Sequence, residues 1–434
     1  MLFIINIYSG FFFFCYMLHF FVVFSPYYLT FTVIINHQNI GLIFIILFPY
    51  FHGLTLVIFF CDHSSSPKFL INSCLPMVSN VLINSSILLL LVNNTNLTAR
   101  AMRLTFETLG FHGYGLKFSP FSPNLLACAA SQNYGLVGQG CLFILDHDPD
   151  KGIRCLRKLD WSKDGLFDLT WSEADAGTIW TAGADGTIQI WDIGSGGNSE
   201  GPVKDAKLAS VVPAHQSVIS SIQWSQVRSD QPTVLTSSWD STIKLWDGLT
   251  AHHLTTFNGH QALVYEIAWS PLLSSTFASC SRDGTIRVWD KSTPPDQASL
   301  VIQASQSEIL SCDWCKYDSN IIVAGCSDKS IKIWDLRSID NGPLTVLMGH
   351  DRAVKKVRFS PHSASIIASV SYDFTTRLWN YLNSDQSFSS KSKLIITRQN
   401  HSEFVYGLDF NIHLPYVLAD CGWDRYICIF ANQI

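Results

Sequence analysis

Five short lines of this chain echo one another: "DGTIQIWD", "DSTIKLWD", "DGTIRVWD", "DKSIKIWD" and "DFTTRLWN". They end at Asp192, Asp247, Asp290, Asp335 and Asn380, with spacings of 55, 43, 45 and 45 residues. Each opens on a turn Asp and continues as alternating apolar and polar residues, the pattern of a half-buried strand. An aromatic followed by an acid or amide closes each line. That pattern at a period of ~40–45 residues is the WD-type β-propeller repeat. The long interval holds "GSGGNSEGPVKDAKLAS", which reads as a surface loop. Weaker units end at Asp146, after "GCLFILD", and near Ala431, after "GWDRYICIF". Before each line runs another strand pattern: "YGLKFSP", "FDLTWSE", "SSIQWSQ", "YEIAWSP", "LSCDWCK", "KKVRFSP" and "YGLDFNI". Seven units follow, so the expected fold is all-β, a seven-bladed WD40 β-propeller over residues 102–434.

The last unit supplies three strands and the chain then stops, one short of a four-stranded blade. An open ring would leave a bare strand edge. The spare strand-like segment is "RLTFETL", Arg103 to Leu109, and it is expected to close the seventh blade.

Residues 1–101 form a hydrophobic leader of another composition. Its first hundred residues hold only Asp62, Lys68 and Arg100 as formal charges. The stretch "GLIFIILFPYFHGLTLVIFF" is long enough to span a bilayer. However, the basic residues that orient a span are almost absent, and no basic start with a short apolar core marks a signal peptide. The favoured reading is that 1–101 lies outside the working protein and that the propeller has no stable membrane insertion. From Met102 onward, 33 acidic residues face 27 Lys and Arg. A mildly acidic body argues against nucleic acid as a partner.

Two apparent catalytic or metal motifs dissolve in the repeat. Cys312 and Cys315 form a C-x-x-C on the inner strand of the fifth unit. Residues three apart on a strand point to opposite faces, so they cannot share one tetrahedral metal. No metal site and no cofactor are expected. His260, Ser279, Asp283 and Trp289 could be mistaken for a triad with a neighbour. The same set returns as His350, Ser369, Asp373 and Trp379, and as His215, Thr236, Asp240 and Trp246. A triad is one constellation in one pocket. A set that recurs blade by blade is structural, a buried polar network that stiffens each unit. The fifth unit departs, with Ser305 for the His and Ala324 for the Ser, and is expected to lean on packing. Nothing here points to an enzyme.

The stretches between the repeat lines carry more. "HGYGLKFSPF", "LACAASQNYGLVGQG", "EILSCDWCKYD", "VKKVRFSPHSASIIASVSYDFTTRLWNY" and "HSEFVYGLDF" resemble the family of peroxisomal targeting signal type 2 receptors, seven-bladed WD-repeat proteins. The resemblance covers about 103–430 and leaves 1–101 without a counterpart. It implies a receptor that shuttles between cytosol and peroxisome. Its cargo carries a nonapeptide near the N-terminus, Arg-Leu-x5-His-Leu, as peroxisomal thiolase does. A co-receptor and a docking complex are the implied partners. The rival reading is a generic WD40 scaffold or substrate adaptor of a multiprotein complex.

Such a peptide suits a short amphipathic helix laid on a surface. In a propeller, the residue before each turn Asp and the residues leading into each inner strand gather at one end of the channel. The first set is Ala184, Trp239, Arg282, Ser327, Tyr372 and Trp423. The second includes Asp164, Tyr265, Glu308, Lys355, Glu403 and Tyr406. Aromatics and acids on one rim suit an apolar ligand with an Arg. The expected cargo-peptide residues are Asp164, Trp239, Tyr265, Arg282, Glu308, Tyr372, Glu403, Tyr406 and Trp423. Val218 stands where the family carries an acid, three residues after the blade-three His, so the expectation is either that Arg binding shifts toward Asp164, Glu308 or Glu403 or that cargo affinity is lower.

Overall fold

The computed structural model of the chain describes residues 103–194, 206–227, 231–382 and 393–431 with their side chains, and backbone strands in the leader. The chain divides into Met1–Leu97 and Thr98–Ile434. In the first unit, Phe3–Ser9, Cys15–Phe24, Tyr27–Asn36 and Asn39–Leu47 pair in chain order as an antiparallel sheet. Val57–Asp62 pairs with Ser65–Ile71. The questions of a span at 41–60 and of the leader's place in the working protein fall on side chains outside the described residues. Among the described residues no helix is long and apolar enough to cross a membrane.

The second unit contains seven four-stranded antiparallel sheets, each a blade. Blade four is representative: Val264–Trp269, Thr276–Ser281, Thr285–Asp290 and Leu300–Gln303 lie in that order from the channel outward. Strand alternation divides its side chains between two interblade cores. Phe277 and Trp289 face each other across the ladder and pack with Leu235 and Ile243 of blade three. Ala278, Cys280, Ile286 and Val288 point the other way, onto Ile309 and Cys312 of blade five. Each large apolar side chain so buried contributes roughly 1.5–3 kcal/mol, so the cores between blades hold the ring together. Cys312 and Cys315 follow the same rule. Cys312 packs against blade four and Cys315 against blade six.

Every repeat line begins in a tight turn. Asp283 Oδ1 accepts from Thr285 N at 2.9 Å and Thr285 Oγ1 at 2.6 Å. The residue after the Asp is left-handed throughout: Gly186, Ser241, Gly284, Lys329, Phe374 and Arg425 all have φ between 70° and 76°. At Gly284 a Cβ would also stand 2.3 Å from Ser305 O, so glycine is required there.

Beneath the turns runs a relay. Trp289 Nε1–H donates to Ser279 Oγ at 2.8 Å, Ser279 Oγ lies 2.7 Å from His260 Nε2, and His260 Nδ1 lies 2.8 Å from Asp283 Oδ2. Trp379, Ser369, His350 and Asp373 repeat it at 2.8, 2.7 and 2.8 Å. Trp246, Thr236, His215 and Asp240 repeat it at 2.9, 2.8 and 2.9 Å. A hydroxyl that gives its proton to Nε2 leaves one imidazole proton, on Nδ1, so the ring is neutral. Burial agrees, pushing His260 and His350 below the usual histidine value. In blade two Gln189 replaces the His, bonding Thr181 and Thr187 at 2.7 Å each. Blade five does not rely on packing alone. Lys332 Nζ donates to Ala304 O, Ser305 Oγ and Asp328 Oδ2, each at 3.2 Å. The indole of Trp334 is left buried without a partner, because Ala324 has no oxygen to offer.

Blade seven is built differently. Its strands are Val405–Phe410, Val417–Gly422, Tyr426–Ala431 and, outermost, Arg103–Glu107 from the start of the unit. Phe106 pairs with Ile427 and Leu104 with Ile429. Leu104 and Phe106 pack on the core shared with blade one. Asp420 stands where blades two, three, four and six carry Ser or Thr, and Phe430 where blades two to six carry Trp. His401 Nδ1 lies 2.9 Å from Asp424 Oδ1 and its Nε2 lies 3.0 Å from Asp420 Oδ1. Two carboxylates can only accept, so both ring nitrogens must donate and His401 is an imidazolium. Burial pushes its pKa down, but the Asp420 charge and the bonds to both acids outweigh burial and hold it well above the ordinary value. The Cys428 thiol belongs to the same buried group, whose ligand-type atoms lie within 4.8 Å of one another. With both His401 nitrogens engaged, the group is a satisfied ion pair.

Two outcomes are expected. A chain beginning at Met102 folds, whereas one beginning at His112 melts far lower or aggregates, because blade seven loses its outer strand. Equal thermal stability of the two would disprove the closing role of Arg103–Glu107. The second concerns pH. The stability supplied by charged His401 is complete below its unfolded pKa of about 6.5 and is lost as pH rises through the raised folded value. Melting temperature should therefore fall more steeply above neutrality in the native chain than in Asp420→Ser, which restores a neutral relay. Parallel pH profiles in differential scanning calorimetry would contradict the imidazolium.

Candidate functional site

Each inner strand carries the same irregularity. The pairing register shifts between Gly113 and Gly115, Leu166 and Asp168, Ile219 and Ser221, Val264 and Glu266, Ile309 and Ser311, Val354 and Lys356, and Val405 and Gly407. Each is a β-bulge whose extra residue is left out of the ladder and re-aimed. The seven extra residues are Tyr114, Phe167, Ser220, Tyr265, Leu310, Lys355 and Tyr406. All seven line one cavity of about 510 Å³ at the end of the channel that carries the turn Asp residues.

The wall is aromatic on one side. Tyr406 stacks on Trp423 at 4.9 Å and 12°, and Tyr114 stacks on Phe167 at 4.5 Å and 14°. The Tyr372 hydroxyl bonds that of Tyr406 at 3.2 Å. Burial pushes all three tyrosines, Tyr114, Tyr372 and Tyr406, above the usual phenol value, so they present neutral hydroxyls. On the opposite side Glu308 stands with both oxygens occupied. Arg282 Nε is 2.9 Å from Oε1, and Tyr265 OH donates to Oε2 at 2.9 Å. The floor is a cluster of paired charges. Glu266 lies 2.5 Å from Arg358 Nη2 and 3.4 Å from Lys356 Nζ. Burial would raise the Glu266 pKa, but the Arg358 and Lys356 charges hold it at about 2.

Of the residues expected at the site, Trp239, Tyr265, Glu308, Tyr372, Tyr406 and Trp423 line the cavity. Arg282 is outside the lining and reaches it only through Glu308. Asp164 and Glu403 are also outside. Each lies two residues ahead of its inner strand, where the backbone has not yet turned to the channel, and Asp164 Oδ1 instead accepts from Gly165 N at 2.8 Å. Val218 lines the cavity as an apolar group.

The repeat family described as WD domain, G-beta repeat matches residues 139–192, 206–247, 251–290, 297–335 and 341–380. The chain is 43% identical over 326 residues to the Peroxisomal targeting signal 2 receptor of Mus musculus, covering 75% of this chain and 96% of the relative. It is 29% identical over 377 residues to the receptor of the same name from Saccharomyces cerevisiae, covering 74% and 97%. It is 37% identical over 137 residues to the Peroxisome biogenesis protein 7 of Arabidopsis thaliana, covering 31% and 40%. The chain belongs to the peroxisomal targeting signal 2 receptor family.

Within this receptor-family propeller, sequence reasoning missed Tyr114 and Phe167. Their signal was available. In "GYGLKF", "LFDLTW", "VYEIAW" and "VYGLDF" the second residue is the same structural position, and Tyr265 and Tyr406 were found there. Tyr134 and Leu136 had no such signal. They lie in a loop peculiar to blade one, where Asn133 and Tyr134 adopt positive φ and Leu136 is 85% exposed at the cavity's edge.

Proposed function

We propose that residues 102–434 act as a cargo receptor for peroxisomal import. The receptor binds the nonapeptide Arg-Leu-x5-His-Leu at the aromatic cavity and shuttles between cytosol and peroxisome. Folded enzymes such as thiolase are its cargo, and a co-receptor and docking complex share the task. The propeller itself carries out no chemistry in this reading. The observation that supports it is the convergence of seven bulged residues on one cavity, with aromatic faces beside a carboxylate. Aromatic walls accept the leucines of a short helix. The carboxylate of Glu308 accepts the guanidinium.

The Arg282–Glu308 pair adds a condition. The incoming arginine must displace Arg282, whose side chain is 57% exposed. Exposed pairs are worth about 0.2–1 kcal/mol, so displacement is cheap but not free. Arg282→Ala should therefore strengthen nonapeptide binding by roughly two- to fivefold. Glu308→Ala should weaken it by about tenfold, the size of a lost charged hydrogen bond. Fluorescence anisotropy with a labelled nonapeptide measures both, with the Arg→Ala peptide as control. Wild-type affinity in Glu308→Ala would remove Glu308 from the site. Equal affinity for the Arg and Ala peptides would favour a generic scaffold.

A further inference from the structure

The cavity holds a half-buried cation with no hydrogen-bond or ion-pair partner among the described residues. Lys355 is the bulged residue of blade six, and its Nζ lies 4.8 Å from the centroid of the Tyr406 ring. Among the described residues its amine makes no hydrogen bond and no ion pair. The two acids of the lining are already taken, Glu308 by Arg282 and Tyr265, and Glu266 by Arg358 and Lys356. Asp168, deeper in the channel, accepts from Ser221 Oγ at 2.9 Å through Oδ2, while its Oδ1 faces Lys356 at 3.9 Å and accepts no hydrogen bond. A cation–π contact with one ring leaves the ammonium without an anionic partner from the protein. An occupant that brings an anionic acceptor supplies one.

We propose that Lys355 is a carboxylate-reading subsite of the cavity, one that selects peptides with an acidic side chain among the five variable positions of the nonapeptide. The inference rests on the receptor reading above. It makes the variable stretch a source of discrimination between cargoes, because Glu308 and Lys355 then read opposite charges of one ligand. The charged and titratable groups around the amine are Lys356 on its own strand, Glu266 and Cys280 of blade four, Asp168 of blade two and Tyr406 of blade seven. Burial and the neighbouring Lys356 charge lower the Lys355 amine to about 8, so it is mostly charged at neutral pH and readily discharged above it.

The test is a set of labelled nonapeptides in which each variable position in turn carries Glu, Gln or Lys, titrated against the whole chain by anisotropy. At pH 7 one position should show Glu binding about tenfold tighter than Gln. Lys355→Met should reduce that preference to within about twofold, Lys355→Arg should keep it, and Lys355→Glu should transfer it to the Lys peptide. Raising the pH to 9 should shrink the wild-type preference, an arm that needs no variant to fold. If Glu and Gln peptides bind equally at every position, the Lys355 subsite is wrong while the receptor reading stands. A Glu preference that persists in Lys355→Met, or at pH 9, likewise overturns it. If no nonapeptide binds, both readings fall.

Discussion

The pairing of Arg103–Glu107 with Tyr426–Ala431 is the contact on which the rest of the propeller depends. It joins residues more than 300 positions apart. The other blades are each assembled from consecutive strands, so blade seven alone must recruit its outer strand from the opposite end of the unit. Ring closure then fixes seven inner strands around one channel. Without it, Tyr406 and Trp423 of blade seven would lose their places beside Tyr114 and Tyr134 of blade one, where the ring centroids now stand 4.9 Å and 5.3 Å apart. The seam is therefore part of the cavity wall, and the stability of the ring and the shape of the cavity share it. The ion pair of His401 with Asp420 and Asp424 sits in the same blade. It replaces a neutral relay by charges that are strong only while the imidazole keeps its second proton.

The cavity follows from one backbone device used seven times. A bulge at the second residue of each inner strand removes one side chain from the ladder and aims it inward. The residue that follows is held lower in the channel, where Lys356 faces Asp168 and Glu266, and Glu266 meets Arg358 from two residues further along. The upper ring is thus apolar and aromatic except for Ser220 and Lys355, and the charges of Asp168, Glu266 and Lys356 lie in the lower one. The upper ring is well suited to a partly apolar ligand. In the lower ring Glu266 pairs with Lys356 and Arg358, and above it Lys355 has no hydrogen-bond or ion-pair partner among the described residues.

The relay and the blade count were legible because they recur. His, Ser or Thr, Asp and Trp return at fixed offsets in three blades, and an error in one blade would be visible in the next. The exceptions were less legible. Lys332 substitutes for the missing His of blade five, and Gln189 for that of blade two, from strand positions whose neighbours in sequence do not announce a polar role. The site was legible to the extent that it used repeat positions. Tyr265, Tyr372, Tyr406 and Trp423 could be placed on one rim by register. Asp164 and Glu403 could not be excluded from it, since a single residue of offset decides whether a side chain precedes the turn toward the channel.

The sequence by itself determined the strands, the turns, the number of blades and the cores between them, because those depend on alternation and on a motif repeated at short range. It also placed an acid and several aromatics at one end of the channel. Tertiary structure alone decided which charges are free. Whether Glu308 is open or occupied depends on Arg282 of the neighbouring blade. Whether Lys355 is paired depends on Glu266 of blade four and Glu308 ahead of blade five, each already committed elsewhere. A charge acquires its partners only across blade boundaries, from residues distant in the chain, and local sequence holds no record of which pairs will close.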